Sequence, residues 1–285
     1  MIRIILVAMT VILYLIFSVP LLAVLRFRAK TDPVGVQKVS LGKIQGVFRF
    51  ILKLAGVTYE VQGLENIPSD RAVLYVGNHR SYFDILVGYM TVPGLTGFVA
   101  KKEMLKIPLL RTWMQRVNCL FLDRVDIKEG LKTILEGIEK VKSGVSIWIF
   151  PEGTRNENQE LTQLLPFHEG SLKIAQKSGC PVIPVAITGT AEIFEQHLPF
   201  VKPSHVCIRY GEPIYIKELP AEKRKFPGAY TRDVIAGMLK EMKEEQEQDS
   251  CKQCVVFHKN HLFIFCTPKV RINMKWGKLS HLFHA

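Results

Sequence analysis

Asn78-His79-Arg80-Ser81-Tyr82-Phe83-Asp84 sets an imidazole five residues before a carboxylate. Histidine is the side chain whose ordinary pKa lies near neutrality, which makes it a natural general base. A neutral imidazole working as a base needs its second nitrogen held, and a carboxylate can hold it. On one continuous helix, residues five apart point about 140° away from each other. His79 and Asp84 therefore meet only if the chain turns between them, as it would at a strand, a turn and a first helical turn. The same letters also spell a capping box, with Ser81 as N-cap and Asp84 at the third helical position. Taken alone, the stretch fits a catalytic pair and a capped helix start equally well.

Three further stretches bring charge or a tight turn to the end of an apolar run. In Phe150-Pro151-Glu152-Gly153-Thr154-Arg155-Asn156, Gly153 permits close backbone approach or a positive φ. Amides near Gly153 and Thr154 can bind phosphate oxygens, and Arg155 can add bidentate contacts. A plain strand-to-loop turn uses the same residues. Phe121-Leu122-Asp123-Arg124 ends on a cation that suits either an anion or a surface ion pair. Val99-Ala100-Lys101-Lys102 ends on two lysines. Val182-Ile183-Pro184-Val185 fits the core or contact with an acyl chain.

The elements that must position these residues follow from the hydrophobic pattern. Strands are predicted at Thr58–Gln62, Ala72–Gly77, Thr96–Ala100, Cys119–Leu122, Ser146–Phe150, Val182–Ile187 and Val206–Tyr210. Helices are predicted at Tyr82–Met90, Pro108–Arg116, Ile127–Lys142, Gly170–Lys177 and Ala229–Glu247. Strands alternating with helices predict an α/β fold, a mainly parallel sheet flanked by helices. Such a sheet gathers His79, Lys101, Arg124 and the Gly153 turn at strand ends, where loops carry chemistry.

Ahead of this region, Ile4 to Leu25 runs for 22 residues without a charge, long enough to cross a bilayer core. Arg26, Arg28 and Lys30 follow directly, and no small-x-small cleavage site precedes them. The run reads as an uncleaved membrane anchor, with Pro20 allowing a kinked or half-inserted helix. A spanning anchor would leave the main body on the cytoplasmic side. Asp32-Pro33 is a helix start. Ile44, Val47, Phe48, Ile51, Leu52 and Ala55 then share one helical face, with Lys43, Arg49 and Lys53 off it. Beside an anchor, this helix is expected to lie on an anionic membrane surface. The division expected is therefore 1–56 as N-terminal membrane-anchoring helices, 57–249 as the α/β domain, and 250–285 as a basic tail.

The net charge of +12 favours an anionic partner. Nucleic acid is disfavoured, because no interleaved basic and aromatic motif occurs outside the tail. Cys119, Cys180 and Cys207 sit singly in apolar runs, as buried thiols do. In the tail, Cys251, Cys254, His258 and His261 stand too close together for a common zinc finger, so no metal is assigned. Leu262-Phe263-Ile264-Phe265 and Trp276 among basic residues suit a membrane-surface tail or a plain appendage.

In this order and spacing, the four stretches resemble the blocks of the glycerolipid acyltransferases, most closely the 1-acylglycerol-3-phosphate (lysophosphatidic acid) acyltransferases. Asn78-His79-x4-Asp84 resembles their His-x4-Asp signature. Phe121 to Arg124, Phe150 to Arg155 and Val182 to Val185 resemble the other three. The resemblance covers roughly residues 30–245. It implies a glycerol-3-phosphate acyltransferase-like fold, a bacterial inner or plasma membrane location, and direct acyl transfer. His79 would deprotonate the acceptor hydroxyl, and Asp84 would orient the imidazole. Lys101, Arg124, Glu152, Gly153, Thr154 and Arg155 would hold the acceptor. Glu152, being an anion, would take a hydroxyl or fix a neighbouring arginine. The donor would be acyl-CoA or acyl-carrier protein, a cosubstrate, with no cofactor. The motifs read a hydroxyl and an anion, so another lysophospholipid, glycerol 3-phosphate or a lyso-aminolipid would also fit as acceptor. A membrane lipid-binding protein without catalysis would have no need of the His79–Asp84 pair.

Overall fold

The computed structural model describes residues 1–253, 255–258 and 261–264, with side chains described through residue 248. It comprises two units, Met1–Leu239 and Lys240–Ala285. The first contains a seven-stranded sheet built from β1 (Thr58–Gln62), β2 (Leu74–Gly77), β3 (Thr96–Lys101), β4 (Leu120–Leu122), β5 (Ser146–Ile149), β6 (Val182–Thr188) and β7 (His205–Tyr210). Their order across the sheet is β1-β7-β6-β2-β5-β3-β4. Every neighbouring pair is parallel except β6 and β7. The mainly parallel sheet predicted from the sequence is therefore present. Every residue of β2, β5 and β6 is buried. That is why these strands read as continuous apolar runs rather than alternating ones.

The connections are α4 (Phe83–Thr91), α5 (Pro108–Arg116), α6 (Ile127–Lys142) and α7 (Lys173–Ser178). A short 3-10 turn, Glu169–Leu172, precedes α7 where the sequence pattern predicted one continuous helix. Because β2 and β5 are neighbours, the segments that follow them emerge side by side at the centre of the sheet. The ends of β3 and β4 lie on one flank and the end of β6 on the other. This carboxyl edge is where open α/β sheets bind ligands.

The helix α3 (Pro33–Ala55) starts as its sequence predicts, with Asp32 Oδ1 accepting from Gly35 N at 2.8 Å and Pro33 in the first turn. It ends at Gly56, whose φ of 77° requires glycine. Its apolar stripe is not laid on a membrane. Ile44, Ile51, Leu52 and Ala55 are buried in the protein core, with Val47 and Phe48 packed against it. The Gln45 amide donates to the carbonyls of Tyr89 and Val92, at 3.0 and 3.2 Å, at the end of α4. Those carbonyls have no helical partner, so the bonds tie α3 to the helix that carries Asp84. The exposed side of α3 carries Lys43, Arg49 and Lys53. An apolar stripe suits a bilayer or a core equally, and here the core takes it.

The N-terminal run forms α1 (Ile2–Phe17) and α2 (Val19–Arg28), bent by 48°. Among the described residues no single helix is long and apolar enough to cross a membrane, whereas this bent pair together passes on length and composition. The break falls at Ser18, whose hydroxyl donates to the Leu15 carbonyl and accepts from Trp113 Nε1 at 2.8 Å. Pro20 lies in the first turn of α2, where the missing N–H is harmless. Ile5, Met9, Ile12 and Ile16 make an exposed apolar face on α1 at helical spacing.

The first unit closes with α8 (Ala221–Lys225) and the start of α9 (Pro227–Gln253), where Ile235 and Leu239 are buried. The second unit holds the remainder of α9 and an antiparallel hairpin, β8 (Val255–His258) with β9 (His261–Ile264). The sequence pattern did not predict that hairpin. The side chains of Cys251, Cys254, His258 and His261, weighed above for zinc, lie outside the described residues.

The position of α3 makes a prediction. Leu52→Ala should destabilise the protein by about 2–5 kcal/mol, the usual cost of such a core truncation. Arg49→Ala should stay within about 0.5 kcal/mol. Urea unfolding of the two variants checks both, and equal stability would put the stripe outside the core.

Candidate active site

Asn78 is the first residue beyond β2, and its buried amide bonds Ile187 of β6 twice. Nδ2 donates to the Ile187 carbonyl at 3.0 Å, and Oδ1 accepts from its N–H at 2.8 Å. A side chain thus continues the β2–β6 pairing after the backbone has turned away. His79 follows, and both of its backbone groups bond the segment after β5. Its N–H donates to Glu152 Oε1 at 2.8 Å, and its carbonyl accepts from Asn156 N at 2.7 Å. Its ring stacks on Phe150, with centroids 4.2 Å apart and planes 12° apart.

The chain then turns, and Asp84 comes back under His79 from the first turn of α4. His79 Nδ1 lies 2.9 Å from Asp84 Oδ2. The Asp84 side chain is 0% exposed and the His79 side chain 16%. Asp84 Oδ2 also accepts from the N–H groups of Arg80 and Ser81, at 2.7 and 2.8 Å. Its Oδ1 accepts from Thr190 Oγ1 at 2.5 Å. Ser81 Oγ accepts from Phe83 N at 3.0 Å. One half of the capping box is therefore present, the Asp84 carboxylate on Ser81 N, while Ser81 Oγ takes Phe83 N instead of Asp84 N; the carboxylate that makes the first bond also holds the imidazole. The pairing of His79 with Asp84 is present together with part of the capping arrangement, and the helix itself is capped one residue later, at Tyr82. A carboxylate only accepts, so Nδ1 carries the hydrogen and Nε2 of the neutral ring has a free lone pair. The arrangement can accept a proton at Nε2.

The other expected site residues fall at the same edge in different circumstances. Glu152 is buried, with Oε1 taken by His79 N and Oε2 by Leu165 N at 3.0 Å. It braces the backbone of the loop, where the sequence suggested a hydroxyl or an arginine as its partner. Burial pushes its carboxyl above the ordinary range, against the opposing pull of those N–H donors. Gly153 has φ 72°, and a Cβ there would stand 3.1 Å from His168 Nε2. Arg124 donates from its guanidinium to the Gly153 carbonyl. Arg155 meets Glu195 Oε1 at 3.2 Å and lies 4.0 Å over the Tyr82 ring. Lys101 and Thr154 are exposed. Neighbouring Lys102 pairs with Asp123 at 3.0 Å.

Sequence reasoning missed Thr190, Phe150 as a stacking partner, Asn156, Glu195 and His168. One signal for Thr190 was legible. Gly189, with φ 81°, follows the last residue of β6, Thr188, in a turn that delivers Thr190 to the strand end.

Residues 58–188 match the family described as "Acyltransferase". A *Saccharomyces cerevisiae* protein named 1-acyl-sn-glycerol-3-phosphate acyltransferase is 32% identical over 68% of this chain and 64% of its own length. A *Borreliella burgdorferi* protein of the same name is 29% identical over 72% of this chain and 81% of its own. Among solved structures, the 1-acyl-sn-glycerophosphate (LPA) acyltransferase PlsC from *Thermotoga maritima* superposes with a TM-score of 0.72. It is 29% identical and covers 85% of this chain and 95% of that one. The chain is thus similar in sequence and in fold to acyltransferases. It spans less than two thirds of some curated relatives, 64% of the yeast protein and 38% of a *Brassica napus* one. The matched segment holds His79, Asp84, Arg124 and the Gly153 turn, and ends two residues before Thr190.

The burial of Glu152 makes a pH prediction. Its folded pKa is raised, so as pH climbs above the ordinary carboxylate range the unfolded chain loses this proton first. The folded chain then holds more protons, and Glu152's contribution to stability falls until pH passes the folded pKa. Glu152→Gln lacks that titration and offers one acceptor where two N–H groups need one each. The variant should melt below wild type, with a gap that narrows as pH rises through this window. Thermal melts at stepped pH check it, and a constant gap would mean that Glu152 keeps an ordinary pKa.

Proposed function

We propose that the protein transfers an acyl chain from an acyl thioester to the free sn-2 hydroxyl of 1-acylglycerol 3-phosphate, making phosphatidic acid. The observation that carries this reading is the contact between His79 Nδ1 and the wholly buried Asp84 carboxylate, which leaves Nε2 as the base. His79 Nε2 takes the hydroxyl proton as the oxygen attacks the thioester carbonyl carbon. The tetrahedral intermediate collapses, the carbon–sulfur bond breaks, and the leaving thiolate takes the proton from the imidazolium. Asp84 offsets the positive charge on the ring between those two transfers. Backbone amides near the two loops are the donors available to the oxyanion.

Lys101, Arg124 and Arg155 supply positive charge for the acceptor phosphate, and amides around Gly153 and Thr154 add neutral donors. The donor is acyl-CoA or acyl-carrier protein. The lipid acceptor and product keep the enzyme at a membrane, where the bent α1–α2 pair inserts its exposed apolar face. Arg26, Arg28 and Lys30 then keep the catalytic unit on the cytoplasmic side. The relatives named as 1-acyl-sn-glycerol-3-phosphate acyltransferases support this choice of acceptor.

Thiol release by purified protein given palmitoyl-CoA and lysophosphatidic acid tests the reaction. Release should require the acceptor, and His79→Ala should lose about 10²–10⁴-fold in kcat, the usual worth of a general base. Release that ignores the acceptor would make the protein a thioesterase. For the membrane, Ile12→Glu on the exposed face of α1 should weaken sedimentation with anionic vesicles while leaving the melting temperature unchanged. Full retention on vesicles would remove α1 as the anchor.

A further inference from the structure

Glu195 lies in a short 3-10 turn, Glu195–His197, beyond β6 and outside the four sequence blocks. Its side chain is 16% exposed. Oε1 accepts twice, from Arg155 at 3.2 Å and from Tyr82 N at 2.9 Å. Oε2 is buried and has no hydrogen-bond partner among the described residues. Such an oxygen is unfavourable unless its position serves something else. The Arg155 guanidinium rests 4.0 Å over the Tyr82 ring, so one face of its plane is fixed as well as one N–H. Three segments meet here: Tyr82 from the turn after β2, Arg155 from the loop after β5, and Glu195 from beyond β6.

We propose that Glu195 is a positioning residue for acceptor binding. Together with the Tyr82 ring it fixes the Arg155 guanidinium, so that the remaining N–H groups are pre-oriented for the acceptor phosphate. This rests on the reading of the acceptor as a lysophosphatidate. A guanidinium carries five N–H donors in a rigid fork. Only one of Arg155's bonds Glu195, through a single carboxylate oxygen. A bidentate pair would have consumed two donors along one edge of the fork, whereas this one leaves an edge whole. Holding a long side chain in one geometry before the ligand arrives removes ordering entropy from the binding step. The same contacts fix the loop that braces His79, yet Glu195 does not touch His79. Its effect should therefore fall on acceptor binding rather than on the chemical step.

The test is calorimetric binding of 1-hexanoylglycerol 3-phosphate to full-length protein in detergent, beside steady-state kinetics with palmitoyl-CoA. Glu195→Ala should weaken acceptor binding roughly ten-fold, as loss of a charge-assisted contact does. The KM for palmitoyl-CoA should stay within about two-fold. Glu195→Gln keeps an oxygen acceptor for both donors and should restore most of the affinity. In an Arg155→Ala background, Glu195→Ala should add nothing, since its target is gone. Should Glu195→Ala fail to fold, Tyr82→Leu at an exposed ring should produce the same acceptor-only loss. Unchanged acceptor affinity, an equal rise in the donor KM, or additive effects with Arg155→Ala would each overturn the proposal. Wild-type binding without turnover would strike the acyl-transfer reading and leave this one standing. Absent binding by the wild type would overturn both.

Discussion

The carboxylate of Asp84 is the point on which the site depends. It has no solvent, so its charge must be met by donors inside the protein. Four arrive: the His79 ring, the N–H groups of Arg80 and Ser81, and the Thr190 hydroxyl. Three come from the turn after β2 and one from beyond β6, so the carboxylate is satisfied only when both segments are in place. Breaking a buried charge's pairing costs about 3–5 kcal/mol. A domain's whole net stability is about 5–15 kcal/mol. The turn, the start of α4 and the end of β6 are therefore held to one arrangement, and the imidazole is oriented as a consequence.

Two other buried polar side chains repeat this device. Asn78 stitches the end of β2 to Ile187 of β6. Glu152 stitches the loop after β5 to the His79 backbone and to Leu165. Beneath them lies an aromatic layer. Phe150 carries the His79 ring, Phe98 and Trp148 stack at 5.0 Å, and Tyr75 stacks on Trp148 at 5.2 Å. Such a floor excludes water, which strengthens every charge interaction above it. The imidazole therefore has one face covered by Phe150 and one edge held by Asp84.

The sequence carried much of this, but only where the information was local. The central strands were legible because full burial makes them unbroken apolar runs. The His79–Asp84 pair was legible because its spacing demands a turn, and the strand before it supplies one. What was not legible lay far away along the chain. Thr190 is 106 residues from Asp84, and Glu195 is 113 from Tyr82. No local pattern states such a pairing. The antiparallel β7 was hidden for the same reason, since strand order is set by packing across the whole sheet. Residues 44–55 show a different limit. An apolar face carries no record of what covers it, so membrane and core could not be separated until α4 was seen against α3. Glu152 shows a third, because a carboxylate in a glycine turn says nothing about which way it faces.

The two arginines at this edge are already bonded within the protein. Arg124 spends a donor on the Gly153 carbonyl, and Arg155 is tied to Glu195 and Tyr82. Lys101 alone of the three expected phosphate ligands has a side chain with no bonded partner among the described residues. Under the proposed function, a phosphate drawn to either arginine would meet groups that also hold the Gly153 loop in shape. That loop in turn braces the backbone of His79 through Glu152 and Asn156. In the proposed reaction, headgroup binding and the placement of the base would draw on neighbouring contacts of one loop.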